Sequence, residues 1–159
     1  MKDDYETFFN KALKFLSYRP RSVYEVKNYL IKKNISSETL EKVLKRLSEL
    51  NFINDEDFAK WWIEKTKRIK GRELLRLELG SKGISKEIID NLISKERSRE
   101  DDLFLAEKIA LKKLEKLGDL PPLEIKKKLY RFLFQKGFSA EIASKTVDKI
   151  LKKGYNRKA

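Results

Sequence analysis

Apolar residues recur along this chain at intervals of three and four, the spacing that gathers side chains on one face of an α-helix. Leu40, Val43, Leu44 and Leu47 make one such stripe. Ile89, Leu92 and Ile93 make a second, and Thr146, Val147, Ile150 and Leu151 continue a third. Ahead of each stripe stands an i, i+4 pair: Val26 with Leu30, Leu75 with Leu79, and Leu129 with Leu133. Each series opens with an aromatic or aliphatic segment containing alanine. These are Phe8, Phe9, Ala12, Leu13 and Leu16; Phe58, Ala59, Trp62 and Ile63; and Leu105, Ala106, Ile109 and Ala110. The pattern predicts three helices in each of three units, and no strand.

A short signature joins the second and third helices of every unit: Leu-x-x-Lys-(Asn/Gly)-(Ile/Phe)-Ser-x-Glu. It reads Leu30 to Glu38, returns as Leu79 to Glu87, and returns again as Leu133 to Glu141. Four positions are identical in register and two more are conservatively replaced, which marks an internal repeat. Mechanically, Leu and Lys close a helix, and Gly83 or Gly137 supplies the left-handed residue past its end. Asn34 does so in the first copy, being next best to glycine there. Ile35, Ile84 or Phe138 then packs back across the turn. Ser36, Ser85 and Ser139 N-cap the following helix, and the glutamate two positions on favours its dipole.

The remaining breaks are also legible. Arg19-Pro20-Arg21-Ser22 interrupts the first unit, with Ser22 as an N-cap. Asn51 to Asp55 ends it, and Asn54 or Asp55 caps the next helix. Gly71 marks the break inside the second unit, and Gly118-Asp119-Leu120-Pro121-Pro122 the break inside the third, where proline suits a first helical turn. The expected domains are residues 1–54, 55–100 and 101–159. Three small units that cannot each bury their apolar face should pack end to end, so the expected fold is all-α, an elongated and curved array of three-helix repeats.

Composition removes several kinds of chemistry. Among 159 residues there is no cysteine and no histidine. Disulfides, thiolate metal sites, His general bases and Ser-His-Asp triads are therefore excluded. No phosphate-cradling Gly-x-x-x-x-Gly-Lys-(Ser/Thr) loop occurs. The start, Met1-Lys2-Asp3-Asp4-Tyr5-Glu6, lacks an apolar signal core, and no apolar run approaches the roughly 18 residues of a membrane span. These features predict a soluble, cytoplasmic, non-enzymatic protein with no cofactor and no bound metal. Asp55-Glu56-Asp57 and Asp101-Asp102 could in principle hold Mg²⁺, but acids crowd a first helical turn simply because the dipole favours them.

Charge adds a partner. The net charge is +13, from 38 basic and 25 acidic residues. Abundant Lys and Glu suit a salt-bridged, heat-adapted surface, yet that does not explain the imbalance. An excess of this size favours a polyanion, most often nucleic acid. It divides as +4, +2 and +7 over residues 1–54, 55–100 and 101–159, which points to the last third. Three clusters are candidates for a basic binding surface. Arg19 and Arg21 flank Pro20. Lys67, Arg68, Lys70 and Arg72, with Lys65, run through the second break. Lys126, Lys127, Lys128, Arg131 and Lys136 are followed by Lys152, Lys153, Arg157 and Lys158 at the tail. Acids near the second cluster (Glu64, Glu73, Glu78) leave it equally readable as a solvated, paired face. Trp61 and Trp62 point about 100° apart on a helix. Trp62 fits the buried stripe with Phe58, and Trp61 falls at the edge, where it is either packed between repeats or an exposed anchor.

Taken together, Arg19-x-Arg21-Ser22-x-x-Glu25-Val26, Leu30-x-x-Lys33-Asn34-Ile35 and Phe52-Ile53-Asn54-Asp55-x-x-Phe58-Ala59 resemble the RecX regulatory proteins. Leu79-x-x-Lys82-Gly83-Ile84 and Phe132-Leu133-x-x-Lys136-Gly137-Phe138-Ser139 extend the resemblance over roughly residues 8–151. The resemblance implies a bacterial cytoplasmic modulator of the RecA recombinase, in DNA repair, recombination and the SOS response. It implies three tandem three-helix repeats that bind the groove of the RecA–DNA filament and inhibit ATPase and strand exchange. It also implies weak affinity for DNA alone, a monomeric state, no membrane and no catalytic residues. Two departures stand out: Asn34 replaces the usual glycine, and Gln135-Lys136 stands where more arginine is expected. The alternative is a stand-alone DNA- or RNA-binding protein using the joints as helix-turn-helix units. A plain helical scaffold for another acidic protein is the third reading.

Overall fold

The periodic segments are helices in a computed structural model of the chain, which describes the backbone of residues 4–158 and the side chains of residues 4–153. Nine α-helices and no strand occur among the described residues. The first three are α1 (Tyr5–Tyr18), α2 (Val23–Lys32) and α3 (Ser37–Glu49). The next are α4 (Asp55–Thr66), α5 (Arg72–Ser81) and α6 (Lys86–Glu96). The last are α7 (Arg99–Leu117), α8 (Pro122–Gln135) and α9 (Ala140–Lys158).

The three joints close in the same way. The amides of Ile35, Ile84 and Phe138 donate to the carbonyls of Leu30, Leu79 and Leu133 at 3.4, 3.1 and 3.1 Å. Those leucines are fully buried, so each one anchors the core with its side chain and the turn with its carbonyl. Asn34, Gly83 and Gly137 take φ of 65°, 78° and 95°. Ser36, Ser85 and Ser139 then accept from the amides of Thr39, Ile88 and Ile142 at 3.2–3.3 Å. A fourth closure of this kind ends α3, where Asn51 has φ 59° and the Phe52 amide donates to Leu47 at 2.9 Å.

The chain divides into two units. Unit 1 holds the described residues up to Glu64 together with Leu79–Asn91. Unit 2 holds Lys65–Glu78 together with the described residues from Leu92 onward. The division falls inside α4, α5 and α6. In unit 1, Ala12, Val26, Leu30, Val43 and Leu47 form a core where α1, α2 and α3 meet. In unit 2, Ala106, Ala110, Leu129, Leu133, Phe138 and Val147 do the same for α7, α8 and α9.

Each unit also contains a junction between successive repeats. In unit 1 the second joint lies against the start of α2: a Cβ on Gly83 would meet Tyr24 Cβ at 2.4 Å. In unit 2 the third joint lies against the start of α5. The Gly71 amide donates to the Lys136 carbonyl at 2.7 Å, and the Glu73 amide to the Gly137 carbonyl at 2.9 Å. A Cβ on Gly137 would meet Leu74 Cβ at 2.2 Å, and one on Gly71 would meet the Gly137 carbonyl at 2.4 Å. Gly71, read from sequence as a helix break, is thus required by close backbone approach. Asn34 is exposed and its side chain has room.

A carboxylate completes each junction. Asp55, the first residue of α4, accepts from the Val23 amide at the start of α2 at 2.9 Å. Asp102, in the first turns of α7, accepts from the Arg72 amide at the start of α5 at 3.0 Å. Asn54, of the two caps proposed for α4, accepts from the Asp57 amide. The acids expected to serve their own helix dipoles therefore serve a neighbouring helix as well. Asp102 is 1% exposed and takes a second bond from Arg97, itself 4% exposed, at 2.5 Å. Arg97 also donates to the carbonyls of Lys67 and Lys70. Burial pushes the Asp102 carboxyl above the ordinary aspartate value, while the Arg72 amide and the Arg97 guanidinium pull it back.

Two stability predictions follow from the junctions. Gly137→Ala meets both a positive φ and the Leu74 side chain, so urea unfolding should show a loss of about 2–4 kcal/mol, whereas Asn34→Gly should change stability by less than about 1 kcal/mol. Asp102→Ala strands a buried guanidinium and should cost about 3 kcal/mol. Asp102→Asn, which keeps an acceptor for the Arg72 amide, should cost less in the same measurement.

Candidate basic interface

The structure sorts the basic candidates by what already holds them. Arg19 is committed to the fold. Its guanidinium ion-pairs with Glu25, donates to the Pro20 carbonyl at 2.7 Å, and lies over the rings of Phe58 and Trp61. Arg21 stacks on Phe15 with its Cζ 3.9 Å from the ring centroid, and Phe15 in turn stacks on Tyr29 at 4.2 Å. Lys70 pairs with Glu78 at 2.6 Å, and Arg72 Nε lies 3.5 Å from Asp102. Lys67 and Arg68 are exposed beside them.

The tryptophans differ from expectation in one respect. Trp61 is half-buried, as an edge position requires, but Trp62 is half-buried too. The buried stripe of α4 is Phe58, Ala59, Ile63 and Thr66. Trp62 flanks that stripe with the Lys82 ammonium 5.5 Å from its ring, and each indole packs on Phe58 at about 6 Å. Neither tryptophan stands free of the fold.

Cations on the last repeat are placed otherwise. Ile125, Leu129 and Leu133 bury one face of α8, and Lys126, Lys127, Lys128 and Arg131 are exposed around them. Lys126 lies 3.8 Å from Asp148, a solvent-exposed contact of small worth. Lys127, Lys128, Arg131 and Lys136 have no ion pair among the described residues. On α9, Lys153 shares Glu107 with Lys149, and Lys152 is exposed. The side chains of Arg157 and Lys158 lie outside the described residues.

A groove of about 580 Å³ separates α8 from α9. Leu123, Tyr130 and Phe134 line it, with Lys126, Lys127 and Arg131 as cationic neighbours and Asp148 of α9 as the one acid in the lining. Leu123 and Phe134 are 64% and 59% exposed, so apolar surface stands open to solvent beside positive charge. Tyr130 and Phe134 lie parallel at 6.4 Å, an i, i+4 pair that was not read from the sequence because neither belongs to the buried stripe. Such a groove can seat an apolar side chain flanked by acids. Three lysines of α7, Lys112, Lys113 and Lys116, were also missed; their i, i+3 and i+4 spacing was the available signal. Among the described residues no group of three or more acids is placed to hold a metal ion, and no helix is long and apolar enough to cross a membrane.

The electrostatics of unit 1 give a pH prediction. Burial alone would raise the Glu25 carboxyl, but the Arg19 guanidinium, the Ser22 amide and the Lys82 ammonium outweigh it and hold it below the ordinary glutamate value. The folded state therefore binds this proton less readily than the unfolded chain. Its contribution is complete above the unfolded value of about 4.3 and is lost as pH falls through the folded value. Thermal unfolding followed downward from pH 6 should show that acid loss, and Glu25→Gln should have a lower starting Tm and a shallower decline.

Comparison with known proteins agrees with this geometry. The family model described as RecX, first three-helix domain, matches residues 9–47, and RecX, third three-helix domain, matches residues 100–147. Regulatory protein RecX of Bacillus subtilis is 37% identical over 150 residues, covering 93% of this chain and 56% of the relative. Its counterpart in Listeria welshimeri is 35% identical over 136 residues, covering 84% and 50%. The chain thus spans about half the length of the curated relatives it matches. A crystal structure of RecX from Lactobacillus salivarius has the same fold, with TM-score 0.80, 24% identity, and coverage of 94% of this chain and 97% of that one. A second structure of regulatory protein RecX gives TM-score 0.80 at 26% identity, covering 92% and 72%. The triplicated joint, the all-helical repeats and these matches lead to one conclusion: this chain belongs to the RecX family.

Proposed function

We propose that this chain is a non-enzymatic regulator that binds the RecA–DNA filament and inhibits recombinase ATP turnover and strand exchange. It does so as a cytoplasmic monomer serving DNA repair. The observation that carries the reading is membership of a family whose relatives are named regulatory proteins, in a chain whose largest basic excess, +7, falls on residues 101–159. The working modules are residues 1–54, 55–100 and 101–159. The α8–α9 groove meets an acidic, apolar-bearing protomer surface, and the remaining basic positions meet DNA phosphates.

Binding alone can do this work. A ligand shifts an equilibrium only by its differential affinity for the two states. A tenfold bias toward one filament state needs about 1.4 kcal/mol of preference, which a few desolvated contacts can supply.

The test adds purified full-length chain to RecA assembled on single-stranded DNA. ATP hydrolysis should fall saturably, and negative-stain images should show altered filament length. Lys126→Gln with Lys127→Gln should raise the concentration needed several-fold. Unaltered ATPase and filament length at saturation would overturn the reading. Tight, salt-sensitive binding to duplex or RNA that recombinase does not strengthen would favour the stand-alone nucleic-acid module instead.

A further inference from the structure

We propose that the face shared by α7 and α8 in unit 2 is a binding site for a nucleic-acid phosphodiester backbone. Two adjoining grooves, of about 290 and 190 Å³, lie along this face. Lys112, Lys113 and Lys116 approach from α7, and Lys128, Arg131 and Lys136 from α8 and its C-terminal end. No aspartate or glutamate lines either groove. Among the described residues none of the six cations has an ion pair, in contrast to Arg19, Lys70 and Arg72. Phe132 lies between the two sides, with the ammonium groups of Lys113 and Lys136 at 5.3 and 5.8 Å from its ring. The ring holds those two groups in place without neutralising them.

Such a patch carries a cost, because like charges at i, i+4, as in Lys112 and Lys116, repel one another. An occupant of opposite charge relieves that repulsion. Its class follows from the arrangement. Lys128 and Lys136 are eight residues apart, about 12 Å along the helix, so the cations form a track and do not converge on one point. A lone phosphate would need convergence, whereas a repeating anion fits a track. An acidic protein surface would need apolar anchors as well. Here Ile109, Leu117 and Phe132 are already packed on the unit 2 core, leaving Ile69 as the one exposed large apolar side chain in the lining. Lysine predominates and Arg131 is the single planar donor, so recognition is of charge and not of base sequence.

This site deepens the filament reading and rests on it only for the source of the nucleic acid. The two can fail separately, because the test contains no recombinase. Full-length Lys112→Gln/Lys113→Gln/Lys116→Gln is compared with Lys42→Gln/Lys45→Gln/Lys60→Gln, which loses the same charge from α3 and α4. Fluorescence anisotropy is read on labelled oligo(dT), a duplex of equal length and oligo(U) across a salt series. The α7 variant should bind oligo(dT) at least about tenfold more weakly at low salt and lose about 2 from its log–log salt slope, while the control stays within about twofold. Lys→Arg at the same three α7 positions should restore binding, and the Tm of the α7 variant should be unchanged or higher. Equal weakening in both triple variants would reduce the effect to net charge and overturn the site. So would unchanged binding in the α7 variant.

Discussion

The fold depends on how the first amides of α2 and α5 are satisfied. A helix start leaves donors without intrahelical partners, and here the next repeat supplies acceptors: the Asp55 and Asp102 carboxylates, and, at α5, the carbonyls of Lys136 and Gly137. The geometry works only if backbone can approach backbone. At Gly83 and Gly137 any side chain would occupy the place of Tyr24 or Leu74. Glycine at these joints therefore answers two demands at once, a left-handed turn and a flush contact. Asn34 answers only the first, which is why a side chain survives there.

The same junctions divide the basic excess into two populations. Arg97, Arg72 and Lys70 lie around the start of α5, bonded to Asp102, Glu78 or backbone carbonyls, and Arg19 is likewise held against Glu25. Their charge is a building material, and at Arg97 burial makes it expensive to disturb. The lysines on α7 and the cations on α8 outside the Asp148 contact have no such role. Net charge alone cannot separate these populations; placement does.

Much of this was legible in the sequence, for a definable reason. The joints depend on contacts within five residues, so Leu30, Asn34 and Ser36 announce them locally, and the helices announce themselves by period. What escaped was nonlocal. Asp55 reaches Val23 and Asp102 reaches Arg72 across about thirty residues, so no local window shows that these acids cap another helix. Trp62 satisfied the i, i+4 rule with Phe58, yet the stripe centres on Ala59 and Ile63. Cluster counting found the run Lys126 to Arg131 but passed over Lys112, Lys113 and Lys116, because a face is built from two helices and a run from one.

The borrowed caps at Asp55 and Asp102 bear on how the molecule comes apart. Modules in a repeat protein can open one at a time when their mutual coupling is weak. Here, fraying the beginning of α4 or α7 withdraws an acceptor from a half-buried amide in the preceding module. Each module's integrity is thereby underwritten by its successor, and local fluctuations that begin in one are penalised in two. A chain divided into small units can in this way unfold with the cooperativity of a larger domain.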